Sequence, residues 1–451
     1  MQRYLSDLRL FSRDARLFLA AATIFAFSIA LPSVFTVLYF QALGFDRPFI
    51  GLTNTAVLVG GAASLPLAMW LLDRFGRRRA AIFGLLTNWS VWALAMTLTR
   101  GDLLLIALVV SGFGNVLYGL TVVPLLAESS STRERTTLFA TYEGLLTLAL
   151  FFGSLLAGLV PGVIAHLLDI PATSAVAYRG ALLSSLVIRA LGLIPLLRIH
   201  YAGAHAGAST DVFAGASAGI PAGAPVSVAS EPGVTDVLRA IRAPRPPAQV
   251  AVFGYLNPRK LARLESPVWL LILPYSLIHF AASLFQPFLP LILRADYGAG
   301  DAVISSTLGI ANLSIGIASV LVPLVVVRLG RIGVVVGACA LTAALTLGNA
   351  WAPTFILAAS AIVARAGVIN STAPVYRAFS IDHTPVAEYT IVSLLLQLCA
   401  NVGPAIAPPL SGYIQKYFGI RPVFEVSAAL YLVSAILFGW VMKRTRDIAQ
   451  R

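Results

Sequence analysis

The sequence predicts an all-α membrane protein: twelve transmembrane helices in two pseudo-symmetric six-helix bundles. Three observations predict it. Hydrophobic residues make up 58% of the 451 and charged residues only 11%, against about 25% charged in a soluble domain; mean hydropathy is +0.85. The apolar residues gather into twelve runs, each near the roughly 20 residues that cross a bilayer. A single shift of 254 residues then lays features of the second six runs over the first.

The runs fall at about 17–41, 49–72, 80–99, 102–127, 137–164, 178–198, 266–293, 301–327, 332–351, 354–376, 389–414 and 421–442. No water pairs the backbone in hydrocarbon, so each run is predicted to be a helix. Their flanks orient them. Lys and Arg number 24 in the segments on the side of the two termini, 6 on the opposite side and 2 within spans. Positive residues are retained in the cytoplasm, which predicts a multi-pass protein of the cell (inner) membrane with both termini cytoplasmic.

The net charge of +13 therefore reads as topology. The basic residues lie in short turns with no compact basic domain and no stacking motif, so nucleic acid is not an expected partner. Segment 1–16, MQRYLSDLRLFSRDAR, has no cleavable apolar core and reads as a cytoplasmic lead-in. Cys339 and Cys399 both fall inside apolar runs, which excludes a disulfide framework or a CxxC metal site and leaves packing.

The organisation follows. Residues 17–198 form an N-terminal bundle, 199–265 a cytoplasmic linker, 266–442 a C-terminal bundle and 443–451 a cytoplasmic tail. The linker opens with AGAHAGASTDVFAGASAGIPAGAPVSVAS, a small-residue, low-complexity stretch expected to be flexible. Its second part, with VTDVLRAIRAP and NPRKLARLES, reads as solvated and basic. Across it the 254-residue offset pairs Gly76 with Gly330, Arg77 with Arg331, Glu128 with Asp382, Glu134 with Glu388, Thr136 with Thr390 and Gly158 with Gly412. Parallel six-helix repeats are one way in which secondary transporters are built.

Two groups of residues carry candidate chemistry. The first is the basic turn LLDRFGRRR at 71–79. Gly76 permits a tight turn, Arg74, Arg77 and Arg78 sit where anionic headgroups lie, and Asp73, at a helix end, can hold Arg77. The weaker copy VRLGRI at 327–332 keeps Arg331 but has Val327 in the aspartate position. The second group lies inside the spans, where ionisable residues are costly and hence functional candidates. These are Glu143, Arg189, His279 and Arg365.

Arg365 stands eleven residues into the tenth span, near the bilayer centre at about 1.5 Å per residue. His279, Ser283 and Gln286 share one face of the seventh span, and Ser111, Asn115 and Tyr118 one face of the fourth. The offset sets Ser111 against Arg365. Imidazole is the side chain whose ordinary charge change lies nearest neutral pH, which makes His279 a candidate carrier of a coupling proton. Glu143, about six residues from the end of its span, is expected to pair with Arg133 or Arg135, and Arg189 to be structural.

With the topology, the turn resembles the major facilitator superfamily over essentially the whole chain. That family's pattern between its second and third helices is G-x-x-x-D-R-x-G-R-R. Asp73, Arg74, Gly76, Arg77 and Arg78 match it, and Met69 replaces the first glycine. The resemblance implies that this cluster latches the two halves on the cytoplasmic side, with Glu128 as its acidic partner and a second, weaker latch at Arg331 and Asp382. It implies that helices 1, 4, 7 and 10 line a central cavity. The fifth span carries GSLLAG at 153–158, similar to the G-P-x-x-G-G of antiporter-type exporters but lacking the proline; close helix packing is an equal reading. The first span has no acid, which departs from many proton-driven members.

No nucleotide-binding glycine loop, HExxH or catalytic carboxylate pair is present, so neither an enzyme nor a cofactor or metal is expected. The expected function is secondary transport of a small organic solute by alternating access, as proton-coupled efflux from a monomer in the bilayer. Uptake of a polar or anionic solute is the alternative, and a non-transporting sensor a third reading.

Overall fold

The computed structural model describes residues 11–128, 135–199, 266–382 and 389–449. The predicted linker lies almost wholly outside them. In the first half, α1 (Arg13–Ala42), α2 (Arg47–Phe75), α3 (Arg77–Ala95), α4 (Gly101–Glu128), α5 with α6 (Arg135–Ala157 and Val160–Leu168) and α7 (Ala175–Leu197) make six crossings. In the second, α8 (Ser266–Phe285) continues through a 3-10 turn (Gln286–Phe288) into α9 (Leu289–Tyr297). Then come α10 (Asp301–Ala350), α11 with α12 (Phe355–Asn370 and Thr372–Asp382), α13 (Tyr389–Phe418) and α14 (Arg421–Ala449). The 50-residue α10 is two crossings, because Gly330 within it has non-helical angles of φ 68° and ψ 165°.

The breaks have sequence causes. Pro161 and Pro287 lack the N–H that an interior helix position donates, and Gln286, just before Pro287, is pushed away from α geometry. Pro374 likewise withholds the N–H that the Asn370 carbonyl would accept, beside the α11–α12 break at Ser371. The seventh, fifth and tenth spans are thus interrupted, where the sequence predicted single runs. At the starts, Ser12, Asp46 and Ser174 cap α1, α2 and α7 by accepting amide hydrogen bonds, satisfying first-turn donors.

The repeat is visible in the backbone. Gly76, between α2 and α3, has φ 77° and ψ 164°, almost the angles of Gly330. Both lie in a region open essentially to glycine alone. Gly44 and Gly298, also 254 apart, are both left-handed at φ 89° and 62°. The contacts repeat as well. A Cβ on Gly158 would meet Ala302 at 2.6 Å, and one on Gly412 would meet Pro48 at 2.7 Å; each pair is the other's image under the same offset.

We call the face bearing Arg13 and the Gly76 and Gly330 turns the terminal face, and the opposite one the distal face. Within the halves, α1 packs on α5 and α7 as α8 packs on α13 and α14, and α4 on α2 and α3 as α11 does on α10. Between the halves, α2 meets α13 and α5 meets α10. One apolar core runs through the second half and crosses into the distal part of the first, through Phe35, Leu38 and Tyr178. A separate core fills the terminal part of the first half, around Phe18, Phe25 and Trp89. Apolar side chains such as Ile106, Val187, Val320 and Ile356 stand exposed, as lipid contact requires.

Candidate functional site

Among the described residues, the polar side-chain contacts between the halves cluster at the distal end of the seam. Arg294, on α9, donates to the Tyr178 hydroxyl of α7 and to the Asp301 carboxylate at the start of α10. Tyr178 donates to the same carboxylate at 3.2 Å and stacks on Phe35 at 5.6 Å. Asp301 and Arg294 keep only 10% and 22% of their side chains exposed. Arg179, next to Tyr178, donates to the Tyr39 hydroxyl at 3.3 Å, and Tyr39 donates to the Met96 carbonyl at 2.8 Å.

A second clasp closes the other edge of the seam. Lys416, at the end of α13, pairs with Asp46 at 2.8 Å, both about half exposed. The Lys416 ammonium holds the Asp46 carboxyl below its usual value. Below the clasps the backbones nearly touch. A Cβ on Gly51 would run into the Pro408 carbonyl, and Thr55 donates to the Ala405 carbonyl at 2.5 Å.

None of these clasp residues stood out in the sequence, yet a signal was there. Arg294 and Lys416 belong to the six basic residues that run against the positive-inside bias, as do Arg47, Arg100, Arg179 and Arg421. Of the others, Arg100 pairs locally with Asp102 and Arg421 stands over the Trp351 ring at 4.9 Å.

The predicted cytoplasmic gate lies on the terminal face. Asp73 is exposed in the last turn of α2 and makes no ion pair among the described residues. Arg74 stands over the Trp70 ring at 5.4 Å. Arg78 donates to the Leu197 carbonyl at 2.5 Å, tying α3 to α7. Arg77 and Arg331 open the helices that follow the two glycine turns. Glu128 and Asp382 end α4 and α12, and their side chains lie outside the described ones.

The predicted cavity residues separate into two groups. Asn115 and Gln286 are exposed and His279 is half-buried. Asn115 lies nine residues from lipid-exposed Ile106, which at about 100° per residue is the opposite side of α4. Its surroundings are the seam side of the half, between the α2-facing Gly112 and the Tyr118 ring that meets Phe25 of α1 edge-on at 6.0 Å. The His279 ring lies 4.6 Å from Tyr275, and the Ser283 hydroxyl is bonded to its own helix, at the His279 carbonyl.

Ser111 and Arg365 instead turn into their own bundles. Ser111 is fully buried and accepts from Asn88 of α3 at 2.9 Å. Arg365 is 2% exposed and lies over the Phe285 ring at 4.7 Å. The offset that pairs these two positions holds, but both face neighbouring helices of the same half. Gln286 leaves the helical face expected for it, because α8 ends at Phe285.

Two duplicated six-helix halves, lipid-exposed around their rim and clasped across one end of the seam, define a polytopic membrane transporter. The chain belongs to the Major Facilitator Superfamily, whose model matches residues 17–273 and 271–450. Among solved structures it is similar to a bacterial homolog of the human lysosomal transporter Spinster, in an inward-facing and unoccupied conformation (TM-score 0.68, 14% identity, covering 96% of this chain and 97% of that one). It is also similar to the nucleoside transporter NupG (0.67, 12%, 96% and 99%). An auto-inhibited peptide transporter of the POT family matches as well (0.64, 11%, 96% and 97%). At these identities the likeness is one of fold. No curated protein matches the chain significantly.

Proposed function

We propose that this protein moves a small organic solute across the cell (inner) membrane by alternating access, as proton-coupled efflux, with both termini cytoplasmic. The observation that carries the reading is the seam: among the described residues, the clasps and the closest backbone approaches between the halves lie toward the distal face. With the terminal face cytoplasmic, this is an inward-facing conformer, the state named for the Spinster homolog. The Arg294–Asp301–Tyr178 and Lys416–Asp46 clasps then form the outer gate. Asp73, Arg77 and Glu128 form the inner gate, and Arg331 with Asp382 makes its weaker counterpart.

The passage runs between the halves past Asn115, Gln286 and His279, with His279 the proton carrier. Apolar inner helices around these few polar groups favour an amphiphilic cargo and export. The similar structures are named for nucleoside and peptide transport, so the fold leaves the cargo to the side chains. A flux screen in proteoliposomes, with and without an imposed pH gradient, tests the reading. Gradient-driven movement of an organic solute supports it, and solute flux that ignores the gradient removes proton coupling.

A further inference from the structure

Arg365 and the residues around it take no part in that passage. Neither its Nε nor its Nη1 has a hydrogen-bond partner, although both are buried. Tyr431 of α14 is fully buried, and its hydroxyl lies within hydrogen-bonding reach of the guanidinium but at an angle too poor to satisfy either group. On α10 the hydroxyl of Thr342 is buried and equally unpartnered. Thr342 occupies the place that Asn88 holds in the first half, as Arg365 occupies that of Ser111. Among the described residues, no carboxylate pairs with Arg365.

The chemistry of this group is one-sided. A guanidinium presents five N–H donors, has no acceptor and does not lose its proton in a protein. A buried cation left without an opposite charge is strongly unfavourable, and the Phe285 ring face offsets only part of that. The first half shows what a closed arrangement looks like at the equivalent place, where the neutral Asn88 amide and Ser111 hydroxyl satisfy each other. In the second half that pair is replaced by a fixed positive charge and two hydroxyls, all able to donate.

We infer that Arg365, Tyr431 and Thr342 bind a small inorganic anion of halide size inside the C-terminal half, behind Phe285. The size follows from the burial: Arg365, Phe285, Tyr431 and Cys339 are each essentially unexposed, so a bulky organic carboxylate would have to displace packed side chains to reach the guanidinium. The place has a consequence for movement. Phe285 is the last residue of α8 before its 3-10 break, so an anion held there braces the interrupted helix that lines the passage. The site lies within one half and its occupancy requires neither transport nor a gradient.

The test is thermal unfolding of the purified full-length protein, with chloride replaced stepwise by gluconate at constant ionic strength. A ligand bound only by the folded state raises the midpoint with its concentration. The expected result is a saturable rise of a few degrees in chloride, lost in Arg365→Gln and moved to at least tenfold higher chloride in Tyr431→Phe. No chloride-specific rise in the wild type overturns the inference, and so does a rise that persists in Arg365→Gln. If Arg365→Gln does not fold, Tyr431→Phe and Thr342→Val decide. A chloride dependence unchanged in both overturns the site, and a weakened one supports it. Because the readout involves no solute, it stands or falls separately from the flux screen.

Discussion

Arg294 is the residue on which the distal clasp turns. It supplies the charge that lets Asp301 be buried at the seam, and it donates to Tyr178 at the same time. Removing one partner of a buried pair leaves the other charge without an acceptor or donor, which costs about 3–5 kcal/mol when burial is complete. Arg294 and Asp301 belong to the same half and stay paired when the seam opens, so Arg294→Gln should weaken distal closure by what the charged bond to Tyr178 contributes, about 1.5 kcal/mol. Spin labels at Thr173 and Pro353, on distal loops of the two halves, should report a longer mean distance in that variant. An unchanged distance distribution would remove Arg294 from the gate.

Lys416 and Asp46 are more exposed and should contribute about 1 kcal/mol or less. The sign with pH is set by the lowered Asp46 value. The pair contributes fully above the ordinary carboxylate range and fades as pH falls through the depressed value. The second clasp should therefore be intact at neutral pH, lose strength only in acid, and weaken with added salt. The same label distance measured against pH, in wild type and Lys416→Gln, checks this.

At this scale the sequence was half legible. An arginine inside an apolar span announces itself by composition. The direction it points depends on which helices flank it, and Phe285 and Tyr431 are 80 and 66 residues away in the chain. Arg294 and Lys416 were visible only as exceptions to the charge bias, since nothing local says that a loop residue will meet the opposite half.

Among the elements, the glycine turns and the seam glycines make the sharpest demands. Gly76 and Gly330 hold angles that cost a residue with a Cβ about 1–3 kcal/mol, and each has open space around it. Gly76→Ala should thus lower stability through the backbone alone, with a reduced unfolding temperature. Gly412 is different. A Cβ there would run into the Arg47 carbonyl, so Gly412→Ala must push α13 from α2. Overpacking of about 1–3 kcal/mol at a contact made only when the distal end is closed shifts the balance toward the distal-open form, about 5- to 150-fold.

A distance shift toward the open form on labels at Thr173 and Pro353 checks that, and an unshifted equilibrium would contradict it. The spans themselves were legible, because apolar length is a strong signal. Their interruptions were not given their weight: Pro161, Pro287 and Pro374 each sat in plain view inside a run, and each marks a place where the regular helix stops or follows shortly after.

For the whole molecule, the offset of 254 residues recovered from scattered matches turned out to organise turns, helix pairings and seam contacts alike. What repetition left unread was the asymmetry laid over it. Asn115 is exposed while its counterpart Ile369 is buried, and Ser111 is neutral while Arg365 is charged. Function in such a molecule resides in those departures, since the shared frame only moves. A proposed inner gate centred on Asp73 predicts that Asp73→Asn slows cycling several-fold; an unchanged transport rate would leave the basic turn a topological marker.

In the proposed cycle the two halves exchange access to a site between them by opening the distal clasps. This exchange is tested most directly by solute flux into proteoliposomes under a pH gradient, using Asp46→Cys with Lys416→Cys joined by a short cleavable thiol cross-linker. Flux is expected in the unlinked protein, with loss on cross-linking and return on cleavage. Flux that continues undiminished with the distal seam held shut would contradict it.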